Sequence, residues 1–425
     1  MRRYESYKDS GVEWLGKVPS HWEILSIRRL SQVKRGASPR PIDNPKYFDD
    51  DGEYAWVRIS DVTASNMYLL ETTQKLSNLG KSYSVPLMPG SLFLSIAGSV
   101  GKPIITKIKV CIHDGFVYFP EYKQNTKFLY YIFYSEQPYI GLGKMGTQLN
   151  LNTDTVGAIK IPIPPLSEQQ KIAQFLDDKT AKIDQAVDLA EKQIALLKEH
   201  KQILIQNAVT RGLNPDAPLK DSGVEWIGQV PDHWEVSSLG KMLLPVSEKN
   251  KPNLPLLSIT RELGVIERDV EDQESNHNFI PDDLSNYKVL KEGQFGMNKM
   301  KAWQGSYGVS RFTGIVSPAY YIFDFIKSVN PRFFHWAIRS KIYISFFGSA
   351  SDGVRIGQWD LSKSRMKSIP FIIPSYTEQV QIADYLDQQA VKIDQAIALK
   401  TAHIEKLKEY KSVLINDVVT GKVRV

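Results

Sequence analysis

A chain of 425 residues with 42% hydrophobic and 24% charged side chains has the make-up of a globular protein, long enough for roughly two to four domains. No apolar run approaches the ~18 residues of a membrane span, and a lone cysteine, Cys111, excludes an internal disulfide and a cysteine-based zinc site, which together predict no membrane association and a reducing, cytoplasmic setting. The net charge of +6 is mild: residues 31–160 carry 14 basic and 11 acidic side chains and residues 243–368 carry 17 and 13, so the excess lies in two blocks, as two nucleic-acid surfaces would require and as many inert proteins also show.

Residues 1–5 lead straight into polar sequence, which predicts no signal peptide. Residues 8–23 then read KDSGVEWLGKVPSHWE. In the stretch 31–160, the aromatic and β-branched runs Tyr54–Ile59, Ser91–Ile96 and Phe116–Phe119 predict strands, and Thr126–Ser135 predicts an amphipathic helix. Cys111, inside the apolar-flanked run 109–112, reads as a core residue. A proline-rich approach, Ile161–Pro165, leads to a long helix for which Ser167 is the expected N-cap, with Gln170 completing a capping box. Leu176, Ile183, Val187, Ala190, Ile194, Leu197, Leu204 and Ala208 recur along it in heptad rhythm, while residues 167–213 balance at seven acidic and seven basic side chains. Gly212 and Pro215 are stop signals.

The chain then repeats itself. Residues 220–235 read KDSGVEWIGQVPDHWE, thirteen of sixteen identical to 8–23 at an offset of 212. The stretch 243–368 predicts a strand at Tyr320–Phe323 and a helix near Pro331–Ser345, and Ile369–Pro374 again approaches a helix, with Thr377 as the expected cap. Residues 378–421 match 168–211 at 21 of 44 positions, and Leu386, Ile393, Ile397, Ile404, Leu407, Leu414 and Val418 continue the heptads. Lys201, Lys400 and Lys411 interrupt the apolar seam, as happens near helix ends or where a partner packs. Each helix, at about 40 residues, would span roughly 60 Å and could not bury its stripe alone.

These patterns predict an α+β chain: two pseudo-twofold-related α/β domains separated by two long antiparallel helices paired as a coiled coil. The expected boundaries are 1–160, 161–213, 214–368 and 369–425. The two inserts share only faint echoes, such as Pro89-Gly90 beside Glu292-Gly293. A frame kept alike twice around unlike inserts points to one architecture presenting two surfaces.

Basic and amide side chains cluster in glycine-rich stretches of the inserts. In the first, Lys34, Arg35, Ser38 and Arg40 form one group, Ser99 and Lys102 a second, and Lys144, Thr147, Gln148 and Asn150 a third. The second insert offers Lys299, Lys301, Gln304, Tyr307 and Arg311, then Arg355, Gln358 and Trp359. Arg and Lys reach phosphates or the guanine edge, and Asn and Gln pair with adenine, so all are candidate DNA contacts; each could equally be a solvated turn.

No catalytic constellation assembles. Gly98–Lys102 lacks the spacing and the Ser/Thr of a phosphate loop, Arg332 breaks the methyltransferase-like Asn330-Pro331-Arg332-Phe333, no Glu-x-Lys follows Pro281-Asp282, and the seven histidines lack metal spacing. His21, Trp22, His233 and Trp234, in the repeated block, read as packing residues.

The DSGVEW-(L/I)-G-x-VP-x-HWE blocks, the Ile-Pro approaches and the EQ-x-x-IA-x-(F/Y)-LD helix starts resemble, over the whole chain, the specificity subunit of type I restriction–modification enzymes; the closing Val419-Thr420-Gly421-Lys422, against Val209-Thr210-Arg211-Gly212, is a small departure. The resemblance implies two target-recognition domains, each reading half of a split double-stranded DNA sequence, with the paired helices as a ruler. It also implies docking of two methyltransferase subunits, which would supply S-adenosylmethionine and the chemistry, and of nuclease-motor subunits; this chain would be non-catalytic and bind no cofactor or metal. Two domains on one face of a duplex favour half-sites about one turn, ~34–36 Å, apart. The rival expectations are a stand-alone DNA methyltransferase or nuclease, and a coiled-coil interaction protein that binds no DNA.

Overall fold

The computed structural model describes residues 2–142, 151–269, 280–326, 328–355 and 358–425, with side chains 354, 355 and 358 left undescribed. The chain divides into two compact units, residues 1–190 with 402–425, and residues 191–401. The long helices Leu166–Arg211 and Tyr376–Val419 each contribute one stretch to each unit.

In the first unit the repeated block makes a short antiparallel hairpin, Tyr7–Asp9 against Lys17–Pro19, and continues into Glu23–Ser26. That strand pairs antiparallel with Lys160–Ile163, the approach to the long helix. The insert therefore leaves and re-enters through one two-stranded clasp, which ties its ends to the frame and leaves its interior free to vary. The second unit does the same: Leu219–Asp221 pairs Gln229–Pro231, and Glu235–Ser238 pairs Pro370–Ile373.

Between the clasps the inserts differ. The first holds a five-stranded sheet in the order Lys34–Arg35, Phe116–Tyr118, Leu92–Ser95, Pro103–Thr106, Tyr68–Leu69, and a four-stranded sheet in the order Gln74–Leu76, Tyr54–Val57, Val110–Ile112, Val85–Leu87. Leu92–Ser95, Pro103–Thr106 and Val110–Ile112 are buried along their whole length, as their continuous apolar runs require, and Cys111 is in the core as expected. The second insert has a four-stranded sheet in the order Leu243–Val246, Tyr320–Phe325, Phe295–Asn298, Tyr307–Val309, with separate pairs Leu257–Thr260/Gly264–Glu267, Lys288–Leu290/Gly314–Val316 and Ser351–Arg355/Gln358–Leu361. The helix expected at Thr126–Ser135 spans Thr126–Tyr134; the one expected near Pro331–Ser345 is two helices, Pro331–Ile338 and Lys341–Ser349.

The helix caps differ from expectation. The first long helix begins at Leu166, so Ser167 lies inside it, and the Pro165 carbonyl accepts from the Glu168 and Gln169 amides. In the second, Ser375 rather than Thr377 caps: its Oγ accepts from the Glu378 amide at 3.3 Å, while the Glu378 carboxylate accepts from the Ser375 amide at 3.2 Å. This is a capping box two residues earlier than expected, in which the glutamate takes the N3 role. Gly212 ends the first helix with φ +74°, left-handed as its stop role requires.

The core of the first unit joins Trp22 and Phe128 to Leu176 and Ile183 of the first long helix and to Leu414 and Val418 of the second. The second unit joins Trp234, Phe333 and Phe371 to Ile205 and Leu386. Each such burial contributes about 1.5–3 kcal/mol. The lysines that break the seam are all partnered by the other helix: Lys411 by Asp184 in the first unit, Lys201 by Asp394 and Lys400 by Gln193 in the second. Within the second unit the stretches run antiparallel, since 193 to 201 rises as 400 to 394 falls. Among the described residues no helix is long and apolar enough to cross a membrane.

Candidate nucleic-acid interface

The first turns of the two long helices fasten the repeated blocks and the caps of the insert helices. Glu168 accepts from the Trp22 indole at 3.2 Å, lies 2.9 Å from His21 Nε2 and takes the Tyr4 hydroxyl. Glu378 accepts from the Trp234 indole at 3.2 Å and lies 2.9 Å from His233 Nε2. Trp22 and Trp234 are buried and pack the repeated block against a helix start, as the sequence predicted, whereas His21 and His233, expected to pack as well, are exposed and meet the glutamates from the solvent side. Burial works to raise the Glu378 pKa, but the bonds from His233, Ser375 and Trp234 outweigh it and hold it at about 2.

The neighbouring glutamine, buried in both copies, grips the insert. Gln169 accepts from the Asn125 amide at 3.1 Å and donates to the Pro164 carbonyl at 2.9 Å. Gln379 accepts from the Asn330 amide at 2.7 Å and donates to the carbonyls of Pro374 and Ser328 at 3.0 and 3.1 Å. Asn125 and Asn330 each cap an insert helix, Asn330 by accepting from the amides of Arg332 and Phe333. The methyltransferase-like run at 330–333 is thus a helix N-terminus. Two turns further along the long helices, Asp177 takes Lys127 and accepts from the Tyr131 hydroxyl at 2.7 Å. Asp387 accepts from Arg332 Nε at 3.0 Å and from the Trp336 indole at 2.8 Å, and Asp384 accepts from the same guanidinium at 2.8 Å.

Away from the frame, the predicted DNA contacts fall into several environments. Lys34 and Arg35 are exposed on an edge strand of the five-stranded sheet. Arg35 and the following loop are organised by one residue, Asp114, whose carboxylate accepts from Ser38 Oγ at 2.9 Å and pairs with Arg40 at 3.1 Å, and whose carbonyl takes Arg35 Nε. Ser99 lies 2.7 Å from Thr63 Oγ1 and Lys102 donates to the Thr63 carbonyl at 3.0 Å, so the Gly98–Lys102 turn is fastened to the helix Ile59–Ala64; burial pushes the Lys102 pKa down.

In the second insert Lys299 pairs with Asp360 at 3.3 Å, Lys301 and Arg311 are exposed, and Gln304 is half-buried in the turn Ala302–Gln304. Trp359 stacks on Trp303 with ring centroids 5.2 Å apart. Tyr307 departs from the expected surface loop: it sits in a strand, wholly buried, with its ring 4.4 Å from that of Phe347 and its hydroxyl unpartnered. Its neighbours in the strand, Gly308 and Val309, are also buried, and an aromatic ring flanked this way is taken into the core. Lys144, Thr147, Gln148 and Asn150 lie outside the described residues, as do the side chains of Arg355 and Gln358.

Four organising residues were missed in the sequence. Asp177 and Asp387 stand at the repeat offset of 210 and could have been found by asking which acids the two helix starts share. Asp114 carries no such signal. Neither does Arg339, a half-buried guanidinium that donates to the carbonyls of Tyr307 at 2.6 Å, Glu262 at 2.8 Å and Arg261 at 2.9 Å and so ties the strand Tyr307–Val309 to the turn at 261–262. Among the described residues no group of three or more His, Cys, Asp or Glu side chains could hold a metal.

Residues 19–198 match the model of the type I restriction modification DNA specificity domain. The chain is 23% identical to the putative type I restriction enzyme MjaX specificity subunit of Methanocaldococcus jannaschii, over 99% of this chain and 97% of that one. It is 24% identical to the MjaVIII specificity subunit of the same organism, over 96% and 94%, and 21% identical to the EcoBI specificity subunit of Escherichia coli, over 89% and 81%. In fold it resembles a chain solved in a study of complex assembly and conformational transition of the type I R-M system, with a TM-score of 0.68, 14% identity and coverage of 96% and 99%. It also resembles the HsdS subunit from Thermoanaerobacter tengcongensis, with a TM-score of 0.53, 14% identity and coverage of 96% and 98%.

Proposed function

We propose, for a chain that belongs to the type I restriction–modification specificity-subunit family, that each insert reads one half of a bipartite, asymmetric double-stranded DNA target. The observation that carries this reading is the contrast between frame and insert. The glutamine of each helix start and the downstream aspartate hold each insert by equivalent bonds, while the sheets they hold have different strand numbers and orders. Two unlike surfaces on one repeated mount suit a split target whose halves differ.

The long helices, paired as an antiparallel coiled coil, act in this reading as the spacer that sets the gap. Lys34, Lys301 and Arg311, exposed on their inserts, contact phosphates or guanine edges. Arg35 and Arg40 do so from a loop braced by Asp114. Two methyltransferase subunits dock on the helices and the repeated blocks and bring S-adenosylmethionine and the methyl transfer; nuclease-motor subunits complete the enzyme. This chain supplies recognition and no catalytic group.

The test is methylome sequencing of cells expressing this chain with its methyltransferase partner, against cells lacking only this chain. A new split, asymmetric adenine-methylated motif that depends on the chain is the expected result. An unsplit or palindromic motif would overturn the two-surface reading.

A further inference from the structure

The acid that receives each insert helix is the same residue of the repeat: Asp177 and Asp387 differ by 210, the offset of the helix match. What each insert offers to it is also alike, although the inserts share almost no sequence. Each insert helix has an asparagine N-cap, a cation two residues later and an aromatic hydrogen-bond donor one turn after the cation: Asn125, Lys127 and Tyr131 in one, Asn330, Arg332 and Trp336 in the other. Spacing of four residues puts cation and ring on one face.

The cation is in an unfavourable place for the helix itself. The first turn carries the positive end of the macrodipole, where Lys and Arg are disfavoured. Two unrelated inserts both accept that cost, and in both the cation is spent on the long helix's aspartate. The aromatic donor adds direction. Tyr131 is buried and its hydroxyl reaches both Asp177 and Thr180, so the contact fixes the rotation of the insert helix as well as its distance.

We propose that Asp177 and Asp387 are positioning residues that each set the orientation of one reading domain on its own helix, and through it the fidelity with which that half of the DNA target is read. The proposal rests on the bipartite reading above. Neither aspartate touches DNA; each acts through the insert helix. The cation–aromatic pair on the insert side is then a docking signature, and the two versions are interchangeable. Asp177→Asn keeps an acceptor but loses the charge that holds Lys127, and Lys127→Arg with Tyr131→Trp installs the second insert's version in the first.

The experiment uses the assembled methyltransferase complex and a duplex library carrying single-base changes in each half-site. With Asp177→Asn, discrimination at one half-site should fall about tenfold while the other half is read as in the wild type, and Asp387→Asn should give the reciprocal pattern. The Lys127→Arg/Tyr131→Trp double variant should retain wild-type discrimination. Equal losses at both halves, or a lowered melting temperature with discrimination intact, would overturn the proposal and leave a merely structural role. If the wild-type complex yields no split motif, the bipartite reading fails instead. The positioning claim is then read by amide hydrogen exchange in the full chain: faster exchange in 126–134 for Asp177→Asn, with 331–338 unchanged, supports it, and unchanged exchange in both sinks it.

Discussion

Lys411 donates to both carboxylate oxygens of Asp184, at 2.7 and 2.8 Å, and the residues displaced by 210, Lys201 and Asp394, make the same bidentate pair at 2.7 Å. Each helix supplies the lysine once and the aspartate once. Two of the three apparent flaws in the heptad seam are therefore a reciprocal pair of cross-helix bonds, with the lysine side chain mostly covered and the aspartate more than half exposed.

An exposed aspartate limits what such a pair is worth. Lys411→Ala and Asp184→Ala should each destabilise the chain by about 1 kcal/mol or less, with a coupling energy of about 0.5 kcal/mol that fades as salt rises. A double-mutant cycle by urea unfolding at low and high salt checks this; a coupling that is unchanged by salt would mean the pair is better shielded than its exposure indicates.

Gln379 is a different case, since it is buried and uses both ends of its amide. Replacing it with leucine leaves the Asn330 amide and two carbonyls without their partner, and should cost about 3 kcal/mol. Gln169→Leu should cost a similar amount in the first unit. Chemical denaturation of the two variants, alone and together, measures both.

Tyr307 is wholly buried and its hydroxyl has no hydrogen-bond partner. Tyr307→Phe removes an unsatisfied polar group and keeps the ring, so it should stabilise the chain by about 1 kcal/mol and leave DNA affinity unchanged. Tyr307→Ala should cost about 3–5 kcal/mol. Thermal unfolding beside a DNA-binding isotherm separates this from the surface role the sequence suggested; weaker binding by the phenylalanine variant would restore that role.

His335 accepts from the Val309 amide at 3.1 Å through Nδ1, and burial, reinforced by Arg339 and Arg311, pushes its pKa down to about 4. A histidine held neutral in the fold and titrating near 6.5 when unfolded stabilises fully above about pH 6.5 and loses that stability as pH falls towards 4. The loss should reach about 3 kcal/mol. Unfolding free energies from pH 7 to pH 4 should drop less steeply in His335→Asn, which keeps an acceptor for Val309 but does not titrate.

If the exposed lysines of the inserts meet phosphates, Lys34→Ala and Lys301→Ala should each weaken DNA binding by the assembled complex across all sequences. Each should also lower the slope of log affinity against log salt by about one. A loss confined to one base sequence would instead make that lysine a base reader.

How much of this was legible follows from where each determinant lies. The duplication, the long helices, the buried tryptophans of the repeated blocks and the core position of Cys111 could be read directly, because periodicity and repetition are written within short windows of sequence. The register of the cap could not. Ser167 and Thr377 have the chemistry of N-caps, but the helix starts are decided by Pro165 in one copy and by the reciprocal bonds of Ser375 and Glu378 in the other.

The sequence by itself determined the frame: two copies of one block, one helix start and one heptad series, whose local patterns specify helices and hairpins wherever they are placed. Only the tertiary structure decided what the frame holds and how. Asp177 meets residues 46 and 50 positions away, Glu168 meets Trp22 across 146, and Tyr307 is drawn inward by Phe347 from a separate helix. Such contacts depend on which side chains the fold brings within bonding distance, and in the divergent inserts no repeated pattern records that in advance.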